Sequence, residues 1–233
     1  MKAFGKTLVL AVVCMVFVFA GSAKASLLEL GTANFGIHVY EKKINFWGGE
    51  YMEYQEVGAG SFEGSYLDGA MLDFLYCVDF YKTIQSGESY KDTTYNNAGQ
   101  IYGKNLNNAG QVAWLLDTYA YNIDGHGDAA TALQAAIWYT VHDGKVGLDT
   151  RDPYGKRTNE ITLYNGYIEA LGSNDGDLSK YAWITPGINT KWGTTTIYQG
   201  LVGGSNPVPV PAAAWLLGAG LVGLVGIRRK VRG

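Results

Sequence analysis

The chain has 233 residues and a formal net charge of −3, with 18 Lys and Arg against 21 Asp and Glu. That balance is too slight for an electrostatic nucleic-acid binder, and no basic run precedes the last few residues, so nucleic acid is not expected as a partner. No zinc pattern, phosphate-binding glycine loop or nucleotide motif is present, while Gly (32), Tyr (17) and the scarcity of Cys (2) stand out.

At the N-terminus, Lys2 and Lys6 give a positive segment before the apolar run Leu8–Ala20, and Ala23-Lys24-Ala25 forms a small-x-small site. This is the pattern of a secretory signal peptide over residues 1–25. Cleavage after Ala25 removes Cys14 and leaves a mature chain from Ser26 whose one cysteine is Cys77. In an oxidising compartment, a lone cysteine implies an intermolecular disulfide, a reactive thiol or something unusual.

Residues 26–205 are one domain's worth of chain. "FGIHVYEKKINFW" (35–47) and "YMEYQEVGAGSF" (51–62) alternate roughly and carry β-branched and aromatic residues, so they are predicted strands. "MLDFLYCVDFYKTI" (71–84) reads as a buried strand, with Leu75, Cys77 and Asp79 on one face and Tyr76, Val78 and Phe80 on the other. The pattern then turns helical. Val112, Leu115, Leu116 and Tyr119 have helix spacing within 108–123. Residues 128–144 are helical too, with Asp128 or Thr131 as cap and Gly144 as stop, and a third helix starts at Asn159. "NNAGQ" occurs at 96–100 and again at 107–111, each copy reading as a turn that starts a helix. Strands return over 181–202. Strands, helices, then strands predict an α+β fold, mainly antiparallel β with an inserted helical subdomain.

Within the second helix, Gln134, Ile137 and Trp138 stand at i, i+3 and i+4 and share a face. A carboxamide on an apolar face is at least partly buried and needs hydrogen-bond partners or a task. Tyr76-Cys77-Val78-Asp79 on a strand, followed by Gln134-Ala135-Ala136-Ile137-Trp138 on a later helix, resembles the thioester domains of bacterial surface adhesins. "GSYLDG" (64–69) and "AGQVAWLLDTYA" (109–120) are similar to that family as well.

The resemblance implies a β-barrel or sandwich with a helical subdomain that carries the Gln motif. It also implies an internal thioester between Cys77 and Gln134, formed with loss of ammonia and opened by an amine on a partner. Asp79 would accept or relay the thiol proton, and Tyr76, Ile137 and Trp138 would support and wall the site. The protein would then be a single-use acyl donor for adhesion or cross-linking, not an enzyme.

Two other readings of the same residues stand beside this one. Cys77, His142 and Asp143 have the residue types of a Cys-His hydrolase or transglutaminase-like site. The abundant aromatics would also suit a non-covalent extracellular matrix protein. "DGHGD" (124–128) and "NDGD" (174–177) offer oxygen ligands for calcium. Neither has full loop spacing, so both read as turns or caps, and no cofactor is expected.

The last residues have three parts: a Pro-rich segment (207–211), an apolar run (212–227) and a basic cluster with Arg228 and Arg229. Val208-Pro209-Val210-Pro211 before that run resembles the PEP-CTERM sorting signals of Gram-negative bacteria, in their Val-Pro-x-Pro form. The resemblance implies a sorting signal over 206–233. The chain would be tethered transiently to the inner membrane by its C-terminal helix, with the basic end cytoplasmic. An exosortase-type protease would process it, and the product would go to the cell surface or extracellular matrix.

Overall fold

The computed structural model describes residues 26–204 apart from 34, 124–126, 153–154 and 194–195. The expected signal peptide and sorting signal, with Val208, Pro209, Val210, Pro211, Arg228 and Arg229, lie outside the described residues. Among the described residues, no helix is long and apolar enough to cross a membrane.

The first strand, β1 (Ser26–Glu29), alternates buried and exposed residues, so Ser26 and Leu28 point inward. It pairs with β4 (Tyr66–Leu67) and with β7 (Ser89–Asn96). β4 folds back onto β5 (Ala70–Met71) through Asp68 and Gly69, both left-handed with φ of 52° and 78°. Asp-Gly is a favoured pair for that tight hairpin turn. On its other side β7 meets β11 (Ala182–Thr185) and β12 (Ile188–Asn189). The sheet continues through β13 (Leu201–Gly203) and ends at β6 (Leu75–Cys77). Every pairing is antiparallel.

A second sheet holds β2 (Phe35–Ile44), β3 (Glu50–Ala59) and β10 (Val146–Leu148). β2 and β3 pair along their whole length, and their connecting turn carries Phe46 and Trp47, 94% and 88% exposed. A small hairpin, β8 (Gln100–Ile101) with β9 (Lys104–Asn105), completes the strands.

Three helices are inserted between β9 and β11: α1 (Ala109–Tyr119), α2 (Asp128–Val141) and α3 (Thr158–Leu171). The fold is therefore α+β as expected, and all three expected helices form. α2 stops because Asp143 and Gly144 turn left-handed, with φ of 50° and 72°. The Gly144 N–H then reaches back to the Tyr139 carbonyl at 2.8 Å. α2 packs against α1, α3, β2, β6 and β10. It is buried on every side from Ala130 to Trp138, as a helix apolar all round must be. Gln134, Ile137 and Trp138 do share a face, but the whole middle of the helix is core.

Three local expectations are corrected. The strand expected over 71–84 is only β6 plus the end of β5. Val78 still donates to the Gly200 carbonyl at 2.9 Å. The chain then leaves the sheet, because the Asp79 carboxylate accepts the Tyr81 N–H at 3.1 Å and bends the backbone into an Asx turn. Asp79 is thus off the strand, and alternation does not place it on the face of Cys77.

The first "NNAGQ" makes a turn into β8, with Asn96 Oδ1 accepting from the Ala98 and Gln100 N–H groups at 2.9 and 3.1 Å. Only the second copy begins a helix. The expected caps of α2 also differ: Gly127 is the N-cap, and the Thr131 hydroxyl donates to the Gly127 carbonyl at 2.7 Å.

Gly200 lies beside the end of β6. A Cβ there would sit 2.5 Å from Ile101 Cγ2. Gly200→Ala should lower stability by about 1–3 kcal/mol, as overpacking does, read as a lower urea midpoint. An unchanged midpoint would mean that Ile101 yields freely.

Candidate functional site

β6 is the last strand of its sheet, so its outer edge needs hydrogen-bond partners from elsewhere. At Leu75 they come from the chain that follows β3. Phe62 N–H donates to the Leu75 carbonyl at 2.9 Å, and Leu75 N–H donates to Ser61 Oγ at 3.2 Å. At Cys77 a side chain takes over. Cys77 N–H donates to Gln134 Oε1 at 2.9 Å, and Gln134 Nε2 donates to the Cys77 carbonyl at 2.7 Å.

The carboxamide of α2 stands where the peptide group of a neighbouring strand would stand. Its orientation is fixed by chemistry, since an N–H requires the oxygen and a carbonyl requires the amide nitrogen. The two residues, 57 apart in sequence, are thus brought together in the core, with Gln134 0% and Cys77 3% exposed.

Cys77 is in no disulfide among the described residues. Burial pushes its pKa well above the usual thiol range, and the negative charge of Asp79 adds to that. It is therefore protonated at neutral pH, and attack on an electrophile requires a group to take its proton.

The Asp79 carboxylate accepts from the Lys82 ammonium and from the Tyr102 hydroxyl at 3.2 Å. The same hydroxyl meets the Tyr198 carbonyl, and the Lys82 nitrogen lies 4.1 Å from the centroid of the Tyr102 ring. Tyr102 was not singled out from the sequence. The available signal is its place in "IYGKN", where Tyr precedes Gly at a tight turn.

Of the residues expected to support the site, Tyr76 and Trp138 are each 1% exposed and Ile137 is 0%. Trp138 meets the edge of Phe80, with centroids 5.2 Å apart. Its indole N–H is buried without a hydrogen-bond partner among the described residues. Tyr76 lies on the opposite face of β6 from the Cys77 side chain and packs against Phe74, centroids 5.9 Å apart.

His142 caps the C-terminus of α2. Its Nε2 accepts the Phe80 N–H at 3.4 Å. Burial lowers its pKa, with Asp79, Asp143 and Glu41 partly offsetting that, so the imidazole is neutral at neutral pH. Asp143 is turned toward Asn107 and Asn108, accepting their amide N–H groups at 2.9 and 3.0 Å. Cys77, His142 and Asp143 therefore do not form a hydrogen-bonded chain: the His142 Nε2 lone pair and the Asp143 carboxylate are both used elsewhere.

Of the two calcium-like stretches, residues 124–126 lie outside the described residues, while Asp128 accepts from Asn159 at 2.8 Å. Asp177 caps the 3-10 turn Leu178–Lys180 through the Ser179 N–H at 2.9 Å. Among the described residues, no group of three or more His, Cys, Asp or Glu is placed to hold a metal.

No curated protein and no solved structure matches the chain. Residues 74–165, a stretch that holds both Cys77 and Gln134 and the contact between them, match the family model of the thioester domain.

Proposed function

We propose that Cys77 and Gln134 form an internal thioester, and that this bond captures an amine on a partner. The observation that carries this reading is the paired hydrogen bond between the Cys77 backbone and the Gln134 carboxamide. It holds nucleophile and electrophile together before reaction, which supplies effective molarity. The Cys77 N–H already sits on the oxygen that must carry negative charge when sulfur adds to the carbonyl carbon, so it acts as an oxyanion donor.

In the forming step a sulfur–carbon bond is made and the carbon–nitrogen bond of the carboxamide breaks. The thiol proton ends on the departing nitrogen, which leaves as ammonia. In the capture step a primary amine attacks the same carbonyl. The product is an amide on Gln134, and the thiol is regenerated. Burial of the pair keeps water from the thioester until the amine arrives.

On this reading the chain is a single-turnover acyl donor, not a turnover enzyme. It is exported by the N-terminal signal and sorted by the Val208–Pro211 motif and its basic tail to the cell surface or matrix. Its partner is an amine-bearing surface protein or matrix component.

The test is intact mass of residues 26–204 beside a Gln134→Ala control, with and without methylamine. The wild type should be light by one ammonia. Methylamine should add its full mass, as a methylamide on Gln134 that leaves the protein one methylene heavier than the unmodified chain, with one thiol appearing. A wild type that is folded, unmodified in mass and carrying a free thiol would overturn the proposal.

A further inference from the structure

The chain passes from β8 into β9 through Tyr102 and Gly103 alone, and both are left-handed, with φ of 53° and 71°. This is the type I′ pattern, whose first position ordinarily holds Asn, Asp or Gly. The same chain obeys that preference at Asp68-Gly69. A bulky side chain in the left-handed region is disfavoured, and such residues persist where the surroundings hold them and cluster at functional sites.

What this turn achieves is the placement of one hydroxyl. The Tyr102 N–H is anchored on Thr185 Oγ1 at 2.8 Å. Its hydroxyl lies between the Asp79 carboxylate and the Tyr198 carbonyl, and its ring carries the Lys82 ammonium. Tyr102 thereby supports Asp79 twice, directly through a hydroxyl whose one proton is shared with the Tyr198 carbonyl, and indirectly through Lys82. The other titratable groups in the field of Asp79 are Cys77 on β6, Tyr81 in the following turn and His142 at the end of α2.

We propose that Tyr102 is a positioning residue for thioester formation: it holds Asp79 so that this carboxylate takes the Cys77 thiol proton and passes it to the departing amide nitrogen. The inference rests on the Cys77–Gln134 thioester reading. The balance is that of the forming step above. Asp79 gains the proton as the sulfur–carbon bond forms and loses it as ammonia leaves, ending as it began.

The experiment compares the wild type, Tyr102→Phe, Asp79→Asn and the double variant. Each is refolded from urea, and ammonia loss is followed by intact mass between about pH 5 and pH 9, with urea midpoints to show that each is folded. Tyr102→Phe keeps the ring under Lys82 and removes only the hydroxyl. It should slow formation about tenfold, because the Asp79 carboxylate has lost a donor that holds it in place. Asp79→Asn should be slower still, and the double variant no slower than Asp79→Asn.

A Tyr102→Phe protein with the wild-type rate and profile would overturn the proposal. So would a double variant whose loss is the product of the two single losses, since Tyr102 would then act independently of Asp79. If the wild type itself loses no ammonia, the thioester reading falls first and takes this inference with it.

Discussion

Gln134→Ala should leave the domain about 2–4 kcal/mol less stable than Cys77→Ala, although both substitutions would prevent the proposed thioester. Neither variant could carry the cross-link, so what differs is the hydrogen bonds and the volume of the side chain removed. Cys77 meets Gln134 through its backbone, and alanine keeps that backbone. Cys77→Ala therefore removes only a small buried side chain. Gln134→Ala strips partners from a buried N–H and a buried carbonyl at once. Each such group costs about 1–3 kcal/mol when left unsatisfied, and the truncated side chain adds a cavity. Urea unfolding of the two variants at one pH measures the difference. Equal midpoints would mean that the paired hydrogen bonds do not hold the edge of β6.

Gln134→Glu adds a test of sign. A neutral carboxyl reproduces both bonds, with its O–H donating to the Cys77 carbonyl and its carbonyl accepting the N–H. The carboxylate cannot donate, and its burial is unfavourable. The folded state therefore holds the proton more tightly than the unfolded chain, whose Glu titrates near about 4.3. The stabilisation from this residue is complete below that pH and is lost as pH rises through the folded value.

The sequence made the helical subdomain legible because its signals are local. Spacing at Val112, Leu115 and Leu116, and Gly144 after Asp143, depend on neighbours a turn apart. Pairing Cys77 with Gln134 was legible only through the two motifs together. Nothing in periodicity says that a glutamine on a helix will complete the edge of a strand 57 residues earlier. Asp79 was misplaced for a definite reason. Its side chain bonds its own backbone two residues on, a competition that alternation ignores. Tyr102 was missed because its role is set by Asp79, Lys82 and Tyr198, which are distant from it in the chain. The local trace it leaves is a breach of turn chemistry, and such breaches are where function tends to lie.

In protein treated with methylamine and kept folded, Cys77 should react with iodoacetamide at least about a hundredfold more slowly at pH 8 than in urea, since only thiolate reacts. Burial, and then the charge of Asp79, raise the folded thiol's pKa. The unfolded thiol ionises near about pH 8.5, so at pH 8 it holds an appreciable thiolate fraction that the folded form lacks. Steric closure slows the reaction as well, and pH separates the two causes. If ionisation governs, the folded rate keeps rising with pH well beyond the point where the unfolded rate levels off.

The same shift has a stability consequence. A thiol whose folded pKa is raised contributes stability that is complete below the unfolded value and is lost as pH climbs toward the folded one. The methylamine-treated wild type should therefore weaken more steeply above about pH 8.5 than Cys77→Ala does. Rapid alkylation of the folded protein at neutral pH would mean an activated thiolate of the kind a Cys-His site creates. His142 would then have to leave the Phe80 N–H that it now accepts. Slow alkylation is what a thioester site requires: a thiol kept protonated and dry, ionised only in concert with attack on the one carbonyl held against its own backbone.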